Sequence, residues 1–190
     1  MRHQPDTAFT LDISRLGRRP GDLIAVDETI VSPSRIGLDL LAIEAGAPLH
    51  LDLQLQSLSD GVLVTGTVSA PTVGQCARCL SPISGDVNVR FTEMFADPDA
   101  VSEADTDDDD DDDEVGHIVD DKVDIEQTIV DAVGLELPLS PVCSDDCPGL
   151  CPECGVALAT AEEGHGHDVI DPRWAKLAEL KVADPQQDSQ

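Results

Sequence analysis

The sequence has few aromatic residues and no long apolar run. It contains one Trp, three Phe and no Tyr among 190 residues, although 41% of its residues are hydrophobic. The core is therefore expected to consist mainly of Val, Leu, Ile and Ala. No stretch reaches the roughly 18 apolar residues of a transmembrane helix, and the first twenty residues contain no apolar signal-peptide core. These absences predict a cytoplasmic protein without a membrane partner.

Basic residues are also scarce, and this scarcity constrains the partners. The chain has 11 Lys and Arg against 39 Asp and Glu, which gives a formal net charge of −28. Residues 97–190 contain 28 of the acidic residues and only 4 of the basic ones. A field of this sign repels phosphate backbones, because nucleic-acid affinity depends largely on Lys and Arg. We therefore expect any contact with RNA to be indirect, and the expected partner is a basic protein.

The first ninety or so residues have the periodicity of β-structure. Residues 49–58 place Leu at 49, 51, 53 and 55 and polar residues between them, which predicts a half-buried strand. The turn signal at 59–61 predicts that residues 62–70 form its hairpin partner. Further strands are predicted within residues 9–16, 38–44 and 86–95. The spacing favours an antiparallel sheet or a small barrel.

Residues 97–114 are dominated by acidic side chains, which make up 12 of the 18 positions. Such a segment cannot bury enough apolar surface to offset the entropy of ordering. It is predicted to be a disordered acidic insertion, taken as residues 97–117. A solvated loop is one interpretation, and a polyanionic mimic that competes for a basic partner is the other.

Two helices are predicted in the second half of the chain. The first begins at an N-cap, Asp124, and ends before Pro138. Its apolar face consists of Ile125, Ile129, Val133 and Leu137, with Val130 widening it. The second helix is predicted at 171–180, where Asp171 and Pro172 form a start signal and Trp174 lies on an apolar stripe.

Six cysteines and a His pair form the chemically distinctive pattern. Cys76 and Cys79 form one C-x2-C pair, and residues 143–155 read CSDDCPGLCPECG. Thiolates at this spacing can chelate one zinc ion from a tight turn, and a structural zinc site closes with four ligands. Eight candidate ligands allow two tetrahedral sets. One set would be Cys76, Cys79, Cys143 and Cys147, and the other Cys151, Cys154, His165 and His167.

Other interpretations of these residues stay open. One zinc could be held by four cysteines with the His pair solvated, the thiols could form a disulfide switch, or the cysteines could be inert. The remaining histidines, at positions 3, 50 and 117, are expected to be surface residues. A basic cluster at Arg15, Arg18 and Arg19 is either a solvated turn or a small phosphate contact.

The sequence contains no motif that predicts catalysis. It has no Gly-rich phosphate loop, no nucleophile elbow and no H-E-x-x-H pattern. All-thiolate metal sites are usually closed and structural, and no small-molecule substrate is expected. A non-enzymatic protein is therefore predicted, and a nuclease is kept only as a minor alternative.

These motifs together resemble those of the YceD family. The matching segments are CARCLSP at 76–82, DIEQTIVDAVGLELPLSPVC at 124–143, CPGLCPECG at 147–155 and DPRWAKLAEL at 171–180. The resemblance covers nearly the whole chain and includes all six cysteines. Some relatives carry C-x-C where this chain has HGH, which is an exchange that a zinc site tolerates.

The residue patterns and the resemblance together predict a fold and a function. The predicted fold is a single α+β domain over residues 1–183: a β-rich front half, a helix, a cysteine- and histidine-rich zinc-knuckle segment at 141–170 and a C-terminal helix. Residues 184–190 would be a frayed tail. The implied function is a bacterial ribosome-biogenesis factor that supports accumulation of large-subunit ribosomal RNA. A basic ribosomal protein or assembly factor would be its partner, and a redox-controlled zinc chaperone or sensor is the alternative.

Overall fold

The computed structural model describes residues 7–98 and 116–167. Within these residues it contains nine strands, one α-helix and one turn of 3-10 helix. The strands are β1 (Thr10–Asp12), β2 (Leu23–Val31), β3 (Ile36–Gly37), β4 (Leu41–Ile43), β5 (Pro48–Ser57), β6 (Gly61–Gln75), β7 (Pro82–Ala96), β8 (Gly116–His117) and β9 (Lys122–Asp124). The α-helix, α1, is Glu126–Glu136, and the 3-10 turn is Leu158–Thr160.

A seven-stranded, mainly antiparallel sheet forms the centre of the fold. Strand β6 pairs along its whole length with β7, and on its other side it pairs first with β5 and then with β4. Strand β2 extends the sheet beyond β5, β3 extends it beyond β4, and β8 pairs in parallel with the end of β7. Strands β1 and β9 form a separate two-stranded ribbon. The β-rich architecture is thus confirmed, and no pairing among the described strands closes the sheet into a barrel.

The alternating leucines of β5 bury one face of the sheet, as predicted. Leu49, Leu51, Leu53 and Leu55 are all fully or almost fully buried, whereas His50, Asp52 and Gln54 between them are exposed. The hairpin of β5 with β6 is also confirmed by its register, in which Ser57 pairs with Val62. Predicted strands 9–16 and 38–44 are longer than the observed β1 and β4.

Strand β2 was missed by the sequence analysis because charges interrupt its apolar pattern. Ile24, Val26 and Ile30 pack against the core, but Glu28 occupies the inward position between them and is exposed. An inward-pointing charge on an edge strand discourages pairing with other chains. The nine paired residues of β2 therefore lack the clean alternation that identifies β5.

Helix α1 packs its predicted apolar face against the sheet. Ile125, Ile129, Val133 and Leu137 are buried, and α1 lies against β7 and β3. The predicted N-cap is wrong by one residue, because the helix begins at Glu126 with Ile125 in the cap position. The carboxylate of Asp124 nevertheless accepts a hydrogen bond from the Glu126 backbone N–H at 3.0 Å.

Several predicted segments lie at or beyond the limits of the described residues. The helix at 171–180, the tail and most of the acidic insertion are outside them. Gly116 and His117, which the prediction placed at the end of the disordered insertion, instead form β8. None of the helices within the described ranges has the length and hydrophobicity needed to cross a bilayer.

The chain divides into two compact units after Cys147. The first unit contains the sheet, the β1–β9 ribbon and α1. The second begins at Pro148 and contains the 3-10 turn. Whether residues 1–183 behave as one domain stays a prediction.

Candidate metal centres

The first candidate metal centre is built on the longest hairpin of the sheet. Strand β6 ends at Gln75 and β7 begins at Pro82, so Cys76 and Cys79 lie in the loop that joins them. The backbone N–H of Cys76 donates to Ser81 at 2.8 Å, and that of Leu80 donates to Cys76 at 2.9 Å. These bonds close a tight turn that directs both sulfurs to one side. The fifteen residue pairs of the hairpin hold this turn in place.

The loop after α1 brings two more sulfurs to this turn. The N–H of Ala77 donates to the Pro141 carbonyl at 2.7 Å, which anchors the loop just before Cys143. The sulfurs of Cys79 and Cys143 are then 3.7 Å apart, and those of Cys76 and Cys147 are 3.8 Å apart. Four sulfurs at about 2.3 Å from a central zinc ion would be about 3.8 Å apart, so these distances fit a tetrahedral site. They are too long for a disulfide bond.

The second candidate metal centre lies in the second unit and repeats the same turn. The N–H of Cys151 donates to Val156 at 2.8 Å, and that of Gly155 donates to Cys151 at 2.9 Å. These bonds correspond one to one with those around Cys76. Gly155 has a φ of 73°, and Leu80 holds the equivalent position with a φ of 58°. A left-handed conformation costs a leucine about 1 kcal/mol, so the first turn is formed at some energetic cost.

Two histidines complete the second group. A 3-10 turn and a short loop return the chain to the C-x2-C turn, where His165 Nε2 is 3.4 Å from Cys154 Sγ. The rings of His165 and His167 stand edge to face, with centroids 4.9 Å apart. Two sulfurs and two imidazole nitrogens make a second four-ligand set.

The eight predicted ligand residues thus fall into the two predicted groups. In each group the four candidate ligand atoms all lie within 4.8 Å of one another, so each group could hold a metal ion. That these residues do ligate a metal stays a prediction. Neither His50 nor His117 belongs to such a group within residues 7–98 and 116–167, and His3 lies outside them.

The electrostatics of the first group favour an additional cation. Burial acts to raise the pKa of Cys76, but backbone N–H groups, chiefly that of Cys79, outweigh it and lower the pKa to about 6. The pKa of Cys143 is raised: its hydrogen bond with Cys147 acts to lower it, but Cys79, burial and the charge on Cys76 together prevail. A cation held between the sulfurs would favour the ionised form of Cys143.

The second group shows the same activation of a buried thiol. The pKa of Cys151 is lowered to about 6 by the backbone N–H groups of Cys154 and Glu153 and by the side chain of His165. N–H groups directed at sulfur are what a C-x2-C turn supplies to a thiolate ligand. Both groups thus contain a buried cysteine that is readily ionised.

Arg78 is a positioning residue that the sequence analysis did not single out. Its Nη1 donates to the carbonyl oxygens of Asp145 and Cys147, both at 3.1 Å. The side chain therefore joins the hairpin turn to the loop that supplies Cys143 and Cys147. Arg78 lies between the two cysteines of CARCLSP, so its position is visible in the sequence. Its role in holding the loop is visible only from the contact with Cys147, 69 residues away in sequence.

Replacing Arg78 with Ala is expected to weaken metal binding at the first group about tenfold without removing a ligand. The loop that carries Cys147 would lose two hydrogen bonds, and losing such supporting contacts typically lowers metal affinity 10- to 100-fold. Competition with a chromophoric chelator measures the affinity. Arg90→Ala, which removes an exposed Arg from β7, is the matched control and should leave the affinity unchanged. Equal affinities for the two variants would contradict a positioning role for Arg78.

Within the basic cluster, Arg18 has an acidic neighbour across the chain. Arg18 lies 3.5 Å from the carboxylate of Asp121, with both side chains largely exposed. Such exposed pairs contribute little to stability. The alternative of a phosphate contact by Arg15, Arg18 and Arg19 stays untested.

The fold and the two groups define a β-sheet protein with two four-residue clusters able to hold metal. The family model described as "Large ribosomal RNA subunit accumulation protein YceD" matches residues 64–181, a range that contains both clusters. The chain therefore belongs to the YceD family.

Relatives similar to this chain occur in mycobacteria. The uncharacterized protein Rv2926c of Mycobacterium tuberculosis is 60% identical over 172 residues, covering 90% of this chain and 81% of the relative. The uncharacterized protein ML1660 of Mycobacterium leprae is 51% identical over 179 residues, covering 94% and 80% respectively. No solved structure matches the chain.

Proposed function

We propose that this protein is a non-enzymatic, cytoplasmic ribosome-biogenesis factor that supports the accumulation of large-subunit ribosomal RNA. The observation that carries the proposal is the match over residues 64–181 to a family described by that role. The matched range includes every residue of both candidate metal centres. The clusters and the charge pattern bear on how such a factor is built and on what it binds.

The two clusters are proposed to be structural zinc sites. Thiolate and imidazole ligands suit zinc, whereas carboxylate and carbonyl oxygens suit magnesium and calcium. Each group offers four protein ligands, so a tetrahedral ion would have no open position for a substrate or a reactive water. In the first site, zinc would join the β6–β7 hairpin to the loop after α1. This closed arrangement supports a non-catalytic role.

The charge of the chain supports a basic protein partner. With a net charge of −28, the protein attracts Lys- and Arg-rich surfaces and repels RNA phosphates. A basic ribosomal protein or assembly factor would satisfy this field, and its association should weaken as salt rises. Tight, salt-sensitive binding to naked ribosomal RNA without a protein would overturn this part of the proposal.

Depleting the protein in its host is expected to lower the ratio of large-subunit to small-subunit ribosomal RNA by about twofold or more. Our physical reason is that an assembling subunit without this factor leaves its RNA exposed to degradation. Hybridisation of total RNA with one probe per subunit measures the ratio. The wild-type chain should restore it, and Cys147→Ser should restore it poorly. An unchanged ratio after complete depletion would overturn the proposed function.

The exposure of one sulfur pair favours a second candidate, a redox-controlled chaperone or sensor. Cys143 is exposed and Cys79 is half-buried, so an oxidant can reach this edge of the first cluster. Oxidation would convert thiolates to sulfenic acid and then to disulfides, which releases a bound metal. Counting free thiols and released zinc during a peroxide titration separates the candidates. Reversible release at low peroxide indicates a sensor, whereas a structural site retains its metal until the fold is lost.

A further inference from the structure

A long groove runs along β7. Its other wall is formed by α1 and by the loop that follows this helix. One half, of about 620 Å³, is lined by residues 89–93 of β7 and by α1. The other half, of about 440 Å³, is lined by residues 83–88 of β7, by residues 136–138 and 140–142, and by Leu41 of β4 and Thr72 of β6. Both halves include Glu136, and the lining passes from Asn88 to Val89 without a break.

The half of the groove beside α1 includes the edge of β7. Successive residues of a strand point to opposite faces, and residues 89–93 all line this half, so it follows the backbone there. The other half extends over a face of the sheet as far as β6 and β4. On this side of β7, the described residues provide pairing partners only for Phe95 and Ala96, through β8. An unpaired strand edge is a template for an added strand.

Acidic side chains surround this edge. The groove residues include five carboxylates and one cation, Arg90, and the carboxylates are Asp86, Glu93, Asp124, Asp131 and Glu136. Asp131 accepts a hydrogen bond from Gln127 and Asp124 accepts one from the α1 backbone, which fixes the position of two of these charges. The groove therefore attracts cations and disfavours nucleic-acid phosphates.

Apolar contact area is present beside the charges. Leu135 at the rim is 88% exposed, whereas Phe91 and Phe95 in the wall belong to the core and offer little surface. Leu135 is therefore the main apolar side chain that a partner could cover. Charge, apolar area and a free backbone edge together match a strand whose basic and apolar residues alternate.

Strand β2, at the edge of the sheet beyond β5, is less suited to an added strand than β7. Strand β2 places Glu28 among its inward positions, which discourages an added strand, and within residues 7–98 and 116–167 the one α-helix packs against β7 and β3 instead. The edge of β7 at residues 89–93 lies beside the groove that α1 lines. The asymmetry identifies the β7 edge as the one suited to binding.

We propose that this groove binds an extended, Lys- or Arg-rich peptide segment of a protein partner, which adds as a strand to the edge of β7. The inference rests on the proposed function in taking the partner to be a basic protein, and it adds the surface and the mode of binding. Carboxylates of the groove contact the basic side chains, and β7 supplies main-chain hydrogen bonds.

The first test uses the full chain and a fluorescein-labelled nine-residue peptide of alternating Lys and Val, followed by fluorescence anisotropy. The double variant Glu93→Lys, Asp131→Lys is expected to weaken binding about tenfold or more, because it reverses two charges in the groove. The matched control is Asp27→Lys, Asp52→Lys, which makes the same charge change on the solvated face of β2 and β5. Its affinity should stay within about threefold of the wild type. Equal losses in both double variants would overturn the groove as the binding surface.

The second test separates strand addition from charge attraction to the aspartate run at 107–113. Two peptides of equal charge are compared. One is N-methylated at the backbone amides of its odd residues, and the other at those of its even residues. A strand paired along one edge uses only alternate amides, so one peptide should lose about tenfold in affinity and the other should bind normally. Equal affinities for the two would overturn strand addition.

Neither test contains ribosomal RNA, so the groove can be judged apart from the proposed function. If the peptide tests fail while depletion still lowers the RNA ratio, the groove proposal alone is overturned. Retention of the effects with an unchanged RNA ratio would support the groove and overturn the proposed function.

Discussion

Replacing Cys147 with Ser is expected to lower the free energy of unfolding of the first unit by about 4 kcal/mol or more in the presence of zinc. An ion that binds only the folded state at a thousand times its dissociation constant stabilises by about 4 kcal/mol, and structural zinc often binds more tightly. Cys147 is buried, and its sulfur lies beside that of Cys76, 71 residues away in sequence. Losing the ion would remove the link through the sulfurs and leave the loop after α1 held to the hairpin by the hydrogen bonds of Ala77 and Arg78.

Urea unfolding followed by far-ultraviolet circular dichroism measures this loss. Adding excess chelator to the wild type should reproduce most of it, and adding chelator to Cys147→Ser should then have little further effect on the first unit. The same midpoint for Cys147→Ser and wild type in saturating zinc would contradict a stabilising ion at this cluster.

The second large effect is expected at Gly74, where β4 passes close to β6. A Cβ at this position would meet the Leu40 carbonyl oxygen and lie 2.8 Å from the Leu41 Cα, both of them backbone atoms that cannot rotate away. The Leu40 carbonyl also accepts a hydrogen bond from Gln75 at 2.8 Å, so β4 would have to separate from β6. Gly74→Ala is expected to cost about 2 to 3 kcal/mol. Because Cys76 follows two residues later, metal affinity at the first cluster should fall as well.

Gly85 provides the matched control in the neighbouring strand. A Cβ there would meet only the Thr72 hydroxyl, at an ordinary contact distance of 3.6 Å. Gly85→Ala is therefore expected to leave the urea midpoint unchanged or to raise stability by up to about 1 kcal/mol, since alanine restricts the unfolded chain. Similar losses for both alanine variants would show that crowding at β4 is not the cause.

Strong periodicity made the central strands and the helix predictable. The leucines of β5 alternate without interruption, and the apolar residues of α1 recur every four positions, so burial of each face followed from the sequence. The predicted N-cap, Asp124, lies one residue before the observed cap, Ile125. The Asp124 side chain still accepts a hydrogen bond from the backbone N–H of Glu126, the first helical residue, as a capping side chain would. Strand β2 was missed because its inward Glu28 breaks the pattern, which is a property of an edge strand that periodicity alone does not detect.

The grouping of the cysteines was predictable because their order along the chain leaves few ways to form two tetrahedral sets. Ligand spacing and count identified the same two groups of four that the structure brings within 4.8 Å. The sequence could not reveal that both C-x2-C turns have the same hydrogen bonds, with Leu80 in the place of Gly155. A leucine in the left-handed conformation is held there by the hairpin and not by its own preference.

The role of Arg78 and the groove beside β7 depended on tertiary structure. Arg78 acts through carbonyl oxygens at positions 145 and 147, a contact that no local pattern encodes. Predicting the groove would have required the packing of α1 against β7. The sequence predicts both elements but not how they pack. Charge counting predicted a basic partner, and the groove is the place that we propose for its binding.

Native mass spectrometry of the zinc-loaded full chain tests most directly whether the two clusters are two separate metal centres. The wild type is expected to carry two zinc ions, and Cys147→Ser and Cys154→Ser are each expected to carry one. A single ion in the wild type would contradict the two-centre arrangement, and a chain without zinc would contradict metal binding altogether.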